Sequence, residues 1–438
     1  MTTVNTIFRN THPRSRHSGC SVVVDVVEEE TRMAVRRRCA CVVLRNALEA
    51  ALPNTLFGPF NSLTLGLVFE ELAAVASDVA TALTASAALT DGGRVVTWGD
   101  ARWGWDSSGV AGELERDVVV VVGTWYGAFA ALTEGGRVVT WGAAEDGGDS
   151  SAVTRELASG VVVVVAGERA FAALTNGGRV VTWGDADYGG DSSTVAGEVA
   201  SGVVRVVATK YSFAALKKGG RVVTWGSAES GGDSSRVAEE LASDVVEVVA
   251  ATSGAFAALK VSGRVVTWGF VWYGGDSSQV AGKLASGVVR VVATRAAFAA
   301  VMEGGRVVTW GNSWEGGRSC RVAGQLASGV VEVVATRWAF AALTEAGRVV
   351  SWGHEDYGGD SSGVAGVLAS GVVKVVATKG AFAAVTEGGR VVTWGHVWYG
   401  GDSRGVAGEL ANGVVHVEAM PSAFAAVTED GRVVTWGE

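Results

Sequence analysis

The sequence predicts an all-β repeat protein: a β-propeller of seven to nine blades with short helical turns between blades, or, as the alternative, an open β-solenoid array. Three observations predict it. The dipeptide Trp-Gly recurs at Trp98, Trp141, Trp183, Trp225, Trp268, Trp310, Trp352, Trp394 and Trp436, at intervals of 42 or 43 residues. An interval of this length, filled mainly with β-branched and small apolar residues, matches one propeller blade. The 438 residues include 62 Gly but only 4 Pro, and such glycine usage without a collagen period marks many tight turns.

One unit, residues 185–226, reads DADYGGDSSTVAGEVASGVVRVVATKYSFAALKKGGRVVTWG. GGDSS is turn chemistry, because Gly tolerates positive φ and Asp and Ser bond back to their own backbone. SSTVAGEVASG opens on Ser as an N-cap, places Val195 and Val199 four apart and closes on Gly202 as a C-cap, the pattern of one or two helical turns. VVRVVAT, SFAALK and RVVTWG are three apolar runs of strand length, each bounded by Gly or polar residues. KKGG joins the last two as a hairpin turn. A unit this small cannot bury its own apolar faces, so stacking on its neighbours must do so. Strands covered on both faces read as continuous Val and Ala runs instead of alternating ones.

The units end near residues 99, 142, 184, 226, 269, 311, 353, 395 and 437. A degenerate unit precedes the first Trp-Gly, since FEELAAVASDVATAL (69–83) echoes VAEELASDVVEVV (237–249). The repeat domain is therefore placed at 59–438. Residues 1–58 differ in character and are read as a basic tail or a short helical cap. They contain RRRCAC (36–41) and VVLRNALEAAL (42–52), and the first 24 residues hold Arg9, Arg14 and Arg16 without an acid. That composition also fits an organelle transit peptide.

A net charge of −9 argues against a general nucleic-acid footprint. No apolar stretch reaches the ~18 residues of a membrane helix; the greasiest run, Val118 to Val122, has strand length. Cys20, Cys39, Cys41 and Cys320 form no disulfide framework. An intracellular protein, cytoplasmic or nuclear, is expected.

The GRVVTWG strand, the Gly-Gly turn, the GVVxVVAT strand and the AFAALT strand resemble the regulator of chromosome condensation repeat family. The resemblance covers about residues 59–438. It implies a propeller, which in that family has seven blades and longer repeats. The family's His before the second strand is absent here, where Phe171, Phe213 and Phe298 occupy that neighbourhood. Relatives in the family range from a small-GTPase exchange factor to propellers attached to HECT-type ubiquitin ligases, so the resemblance implies a binding role without selecting a partner.

No catalytic residue, cofactor site or metal site is expected. The five His show no metal spacing, and one Asp per GGDSS turn supplies too few oxygens for calcium; Asx-turn and capping roles are favoured. The recurrent Arg (Arg94, Arg137, Arg179, Arg221, Arg264, Arg306, Arg348, Arg390, Arg432) is read as capping the hairpin and pairing with nearby acids. The repeated Trp is read as packing, with its N–H satisfied locally.

Candidate sites lie where the units differ. Trp103, Trp105, Trp272, Tyr273, Trp314, Trp398 and Tyr399 follow the Trp-Gly, and Trp125, Tyr126 and Trp338 precede the AFAAL strand. As rim aromatics they are candidate partner-binding anchors; filling gaps between blades is the competing reading. The middle of VVxVV carries Arg205, Glu247, Arg290, Glu332, Lys374 and His416, whose alternating signs predict a charge ladder from blade to blade. The expected function is a non-catalytic protein-protein interaction scaffold binding a protein partner through rim loops. The alternatives are a regulatory or substrate-binding module of a larger protein, such as a HECT-type ubiquitin ligase or a small-GTPase exchange factor, and a structural array without a specific partner.

Overall fold

A computed structural model describes residues 76–437, apart from 82–84, 91 and 100–105. The predicted basic segment 1–58, the start of the degenerate unit, Trp103 and Trp105 lie outside the described residues.

Among the described residues nine three-stranded antiparallel sheets follow one another, each a simple up-down-up meander. The first comprises Ala76–Thr81, Ala85–Thr90 and Val95–Gly99. The fourth, from the unit parsed above, comprises Val203–Ala208, Ser212–Lys217 and Val222–Gly226. The ninth comprises Val414–Ala419, Ala423–Thr428 and Val433–Gly437. The GG of the hairpin takes positive φ at Gly219 and Gly220, which reverses the chain in the handedness that a β-turn between right-twisted strands favours.

The helical segment has the expected length of one or two turns. In the fourth unit it is a 3-10 turn, Ser193–Val195, followed by one α-helical turn, Ala196–Val199. Ser192 makes no capping bond; its hydroxyl hydrogen-bonds Thr182 of the preceding strand, 2.9 Å away. Asp191 is the residue that accepts from the Ser193 N–H, at 2.8 Å, in an Asx turn. The same Asp bond recurs at Asp106, Asp149, Asp233, Asp276, Asp360 and Asp402.

The cores form between sheets. Each core cluster joins one face of a sheet to the opposing face of the next. In the seventh-to-eighth interface Ala339, Ala341, Leu343 and Val349 meet Leu368, Val372, Val375, Phe382, Ala384, Val392 and Trp394. The pairing is the same from the first sheet to the ninth. Alanine on one side gives room for Phe on the other, so two backbones approach closely around a fully buried ring. Phe and Trp of one sheet are direct register partners, as Phe213 is to Trp225, and their rings stack 5.2–5.5 Å apart in eight sheets. In the first sheet Ser86 stands opposite Trp98 instead.

The Trp N–H is not satisfied locally, in contrast to the sequence expectation. Trp183 Nε1 donates to the Gly147 carbonyl at 3.0 Å, in the connecting segment before its own sheet, and Trp225, Trp268, Trp310, Trp352, Trp394 and Trp436 make the same bond. These seven Trp thus fasten their own sheets to the segments that leave the previous ones, whereas the buried Trp141 N–H has no partner among the described residues.

First strands of successive sheets lie side by side, while third strands pack against the connecting 3-10 turns. Sheets that touch along one edge and diverge along the other are arranged radially, as blades. The curvature is direct to see: the Arg337 guanidinium of the seventh sheet is 6.0 Å from the ring of Trp125 in the second. In a straight solenoid five steps along the array would separate them by about 24 Å even at the 4.8 Å strand spacing. The radial arrangement therefore replaces the open straight array.

At Asp402 the Asx turn carries an extra partner. The Arg404 guanidinium hydrogen-bonds the same carboxylate at 2.5–3.0 Å, and these bonds, with the backbone N–H of Arg404, hold Asp402 down to about 2. A depressed carboxylate favours the fold above its unfolded value of 3.8 and loses that contribution as pH falls from 3.8 to about 2. Arg404 is exposed, so salt weakens the effect. NMR titration of the Asp402 carboxyl should show a midpoint near 2 that returns toward 3.8 in Arg404→Ala.

Candidate protein-binding rim

Two sets of segments meet at one end of the sheets. The loops between first and second strands reach it from inside. The 3-10 turns after the third strands reach it from outside, and each is hydrogen-bonded to the loop of its own sheet: Asp185 N–H to Arg169 O, His354 N–H to Trp338 O and His396 N–H to Gly380 O. The opposite end carries the Gly-Gly hairpins and the recurrent Arg.

On that opposite end Arg137, Arg179, Arg221, Arg264 and Arg432 pair with Glu113, Glu156, Glu198, Glu240 and Glu409 of the helical turn before their own sheet, and Arg94 pairs with Glu115. Among the described residues Arg306, Arg348 and Arg390 make no ion pair; the sequence has Lys283, Gln325 and Val367 where the others have the acid.

The turns at the rim sort the sequence candidates into two columns. The middle residue of each turn points to solvent: Trp272 is 74%, Trp314 77% and Trp398 62% exposed. The third residue turns inward. Tyr273 packs on the fifth-to-sixth core and lies 4.8 Å from the Phe270 ring; Tyr399 packs on the eighth-to-ninth core. Both kinds of residue sit on a turn closed by a left-handed glycine, Gly274 or Gly400. Adjacent letters in the sequence thus have opposite environments.

Where the inward column is acidic, an Arg from the inner loops meets it. Arg169 Nε lies 2.5 Å from Asp146 and its guanidinium also reaches Asp185 at 3.0 Å; Arg295 lies 2.5 Å from Glu315. Burial pushes Asp146 above the usual aspartate range in spite of the Arg169 charge. The Asp146 and Glu315 carboxylates are buried and their Arg partners are partly exposed, so each pair fixes loop to turn.

Where the column is aromatic, rings cluster. Trp338 lies 4.1 Å from Tyr357, and Tyr357 stacks on His396 at 4.8 Å. His396 packs edge-on against Trp398 and Tyr399. Gly380 belongs to this cluster by having no side chain: a Cβ there would meet the Tyr399 and Tyr357 rings. Tyr126 lies on the other side of the rim, stacked with Arg169 at 5.4 Å. Trp125 is 41% exposed at the axis, with Lys210 5.6 Å and Arg337 6.0 Å from its ring.

The six candidate ladder residues lie on the first strands, which form the inner wall. A bulge after the first residue of each strand, as between Val203 and Arg205, leaves Val204 unpaired and turns it and Arg205 outward together. Arg205 reaches Glu247 at 3.8 Å and Arg290 reaches Glu332 at 3.9 Å. No ion pair links Glu247 to Arg290 or Glu332 to Lys374 among the described residues. Lys374 donates to the Val417 carbonyl at 3.4 Å, and His416 bonds Glu418 of its own strand at 3.1 Å. The column is brought together as two dyads.

Sequence reasoning missed the inner loop residues Glu168, Lys210, Arg295, Arg337 and Lys379. They stand in one alignment column, before the AFAAL strand, and a column holding four cations and one acid was the available signal. Among the described residues no group of three or more His, Cys, Asp or Glu is placed to hold a metal, and no helix is long and apolar enough to cross a membrane.

No family model matches the chain, and no curated protein matches it. Similar solved structures include the entire ectodomain of the Physcomitrella patens receptor kinase CR4, at 16% identity over 69% of this chain and 75% of that one, TM-score 0.32. Yeast RCC1 (Prp20) bound to Kap60 is similar at 17% identity over 69% and 73%, TM-score 0.31. The computationally designed Ika8 protein is similar at 10% identity over 71% and 93%, TM-score 0.29. By its own geometry, then, the chain is an all-β array of nine three-stranded sheets arranged as propeller blades.

Proposed function

We propose that the protein is a non-catalytic protein-interaction scaffold of the chromosome-condensation-regulator repeat type, binding a protein partner through the rim that carries Trp272, Trp314 and Trp398. The observation that carries this reading is their exposure, 62–77%, on short turns tied to the sheet ends. Large rings held rigidly in water, with few rotamers to lose, are what binding hot spots are made of. The Trp338–Tyr357–His396–Tyr399 cluster supports Trp398 from below, which keeps the anchor in place before a partner arrives. The Arg205–Glu247 and Arg290–Glu332 pairs serve the frame: each is partly exposed and contributes about 0–1 kcal/mol, enough to favour one register of neighbouring blades.

The test uses photo-crosslinking residues placed singly at 272, 398 and, on the opposite end, 218. One discrete protein should be captured from positions 272 and 398 and not from 218. With that protein purified, the double variant Trp272→Ala, Trp398→Ala should weaken binding by about tenfold or more. Equal capture from both ends, or an affinity unchanged in the double variant, would overturn the reading.

A further inference from the structure

The inner loops bring five charged residues to the axis in one circle: Glu168, Lys210, Arg295, Arg337 and Lys379. Their backbones are linked directly. Glu168 N–H donates to Lys210 O, Arg295 N–H to Arg337 O, and Arg337 N–H to Lys379 O, at 2.8–2.9 Å. Side chains at these places therefore start about one strand spacing apart, and their charges interact.

The first cations of the circle are neutralised. Lys210 Nζ is 2.5 Å from Glu168, and Arg295 is 2.5 Å from Glu315. Arg337 and Lys379 have no such partner. Neither makes a side-chain hydrogen bond or an ion pair with any described residue. Arg337 is flanked by the faces of Trp338, at 5.6 Å, and Trp125, at 6.0 Å, which stabilise a cation but do not neutralise it. Next to it Gly380 and Pro421 offer no acid, and the surrounding rings are Tyr357 and Tyr399. Burial, and then the Arg337 charge, push the Lys379 ammonium below its ordinary range. Among the described residues, two adjacent cations of a chain with a net charge of −9 are thus left without a neutralising partner in a partly desolvated place, where a charge is costly unless something pairs with it.

We propose that Arg337 and Lys379 form an axial site for a doubly charged oxyanion of the phosphate or phosphate-monoester class. The two cations differ in a useful way. A guanidinium presents a planar fork to two oxygens of one anion, and an ammonium supplies a point charge to a third. A dianion neutralises both, whereas a monocarboxylate leaves one uncompensated. The rings of Trp125 and Trp338 wall the Arg337 side of the site.

Calorimetry with inorganic phosphate, and separately with phenyl phosphate, tests this on the full chain. Saturable binding is expected at millimolar concentration or below, with sulfate competing and chloride not. Arg337→Gln and Lys379→Met should each weaken it about tenfold or more. Arg390→Gln, which removes an unpaired cation at the opposite end, should leave it unchanged. Phosphate should also protect Lys379, and not exposed Lys218, from acylation at mildly alkaline pH. Tighter binding of phenyl phosphate than of phosphate points to a monoester as the natural ligand; equal binding points to the free ion. Circular dichroism of each variant confirms that it is folded. Absence of saturable binding by the wild-type chain, or binding that survives both Arg337→Gln and Lys379→Met, would overturn the assignment.

Discussion

Replacing Phe298 with alanine should lower stability by about 3–5 kcal/mol, the cost of emptying a fully enclosed aromatic site. Phe298 is completely buried between the fifth and sixth sheets, stacked 5.2 Å from Trp310. Its neighbours across the interface are Ala255, Ala257 and Leu259, and alanines on rigid strands cannot swell to fill the space it leaves. The loss also frees the Trp310 ring, whose N–H is held at the Gly274 carbonyl. The same substitution acts on one interface only, because each cluster belongs to one pair of sheets. Denaturant unfolding should then show either a lower single midpoint or a split transition in which one part of the array leaves first. A decrease under about 1 kcal/mol would show that the interface relaxes around the void.

Gly275→Ala should cost about 2–3 kcal/mol, the upper part of the range for overpacking. A Cβ at this position would press on the carbonyl group of Gly269, at the end of the third strand of the fifth sheet. The obstacle is backbone, which has no rotamer to change. The control is Gly304→Ala. Gly304 has φ +77 but open space around its would-be Cβ, so only the left-handed conformation is strained, at about 1–2 kcal/mol. Thermal melts of the two variants separate contact from strain: Gly275→Ala should melt clearly below Gly304→Ala. Equal melting temperatures would mean that the connecting segment shifts freely, and that the tight approach at the Trp-Gly corner is dispensable.

Much of this architecture was legible before any coordinates. The fixed Trp interval marked the unit, and the three apolar runs of 185–226 became the three strands at Val203–Ala208, Ser212–Lys217 and Val222–Gly226. The reasons are local: glycine-bounded β-branched runs have little else to form. The 43-residue intervals have a local cause too, one extra residue between first and second strands, as in the seven-residue strand Val245–Ala251. Two things were not legible. The acceptor of the Trp N–H lies 36 or 37 residues away, and no short-range pattern specifies it. The split of Trp272 from Tyr273 was also hidden, because a single 3-10 turn sends adjacent side chains in different directions. At the opposite end, the lack of an ion pair for Arg306, Arg348 and Arg390 among the described residues could have been read from Lys283, Gln325 and Val367. The pairing of Arg295 with Glu315, and the lack of one for Arg337, needed the turn and the loop in the same place.

At every described step the inner loops bond to one another through main-chain atoms. Trp125 N–H donates to Glu168 O, and Lys379 N–H to Pro421 O, whatever the side chains are. Where the fifth unit has its extra residue, Thr252 accepts and Ser253 donates, and the series continues. Such a joint is indifferent to copy number. A newly duplicated unit offers the same donor and acceptor as its parent, so it can enter the series without any matched substitution in its neighbours. Assembly and chemistry are thereby inherited separately: duplication can lengthen the array, while each axial side chain remains free to drift toward whatever it comes to bind.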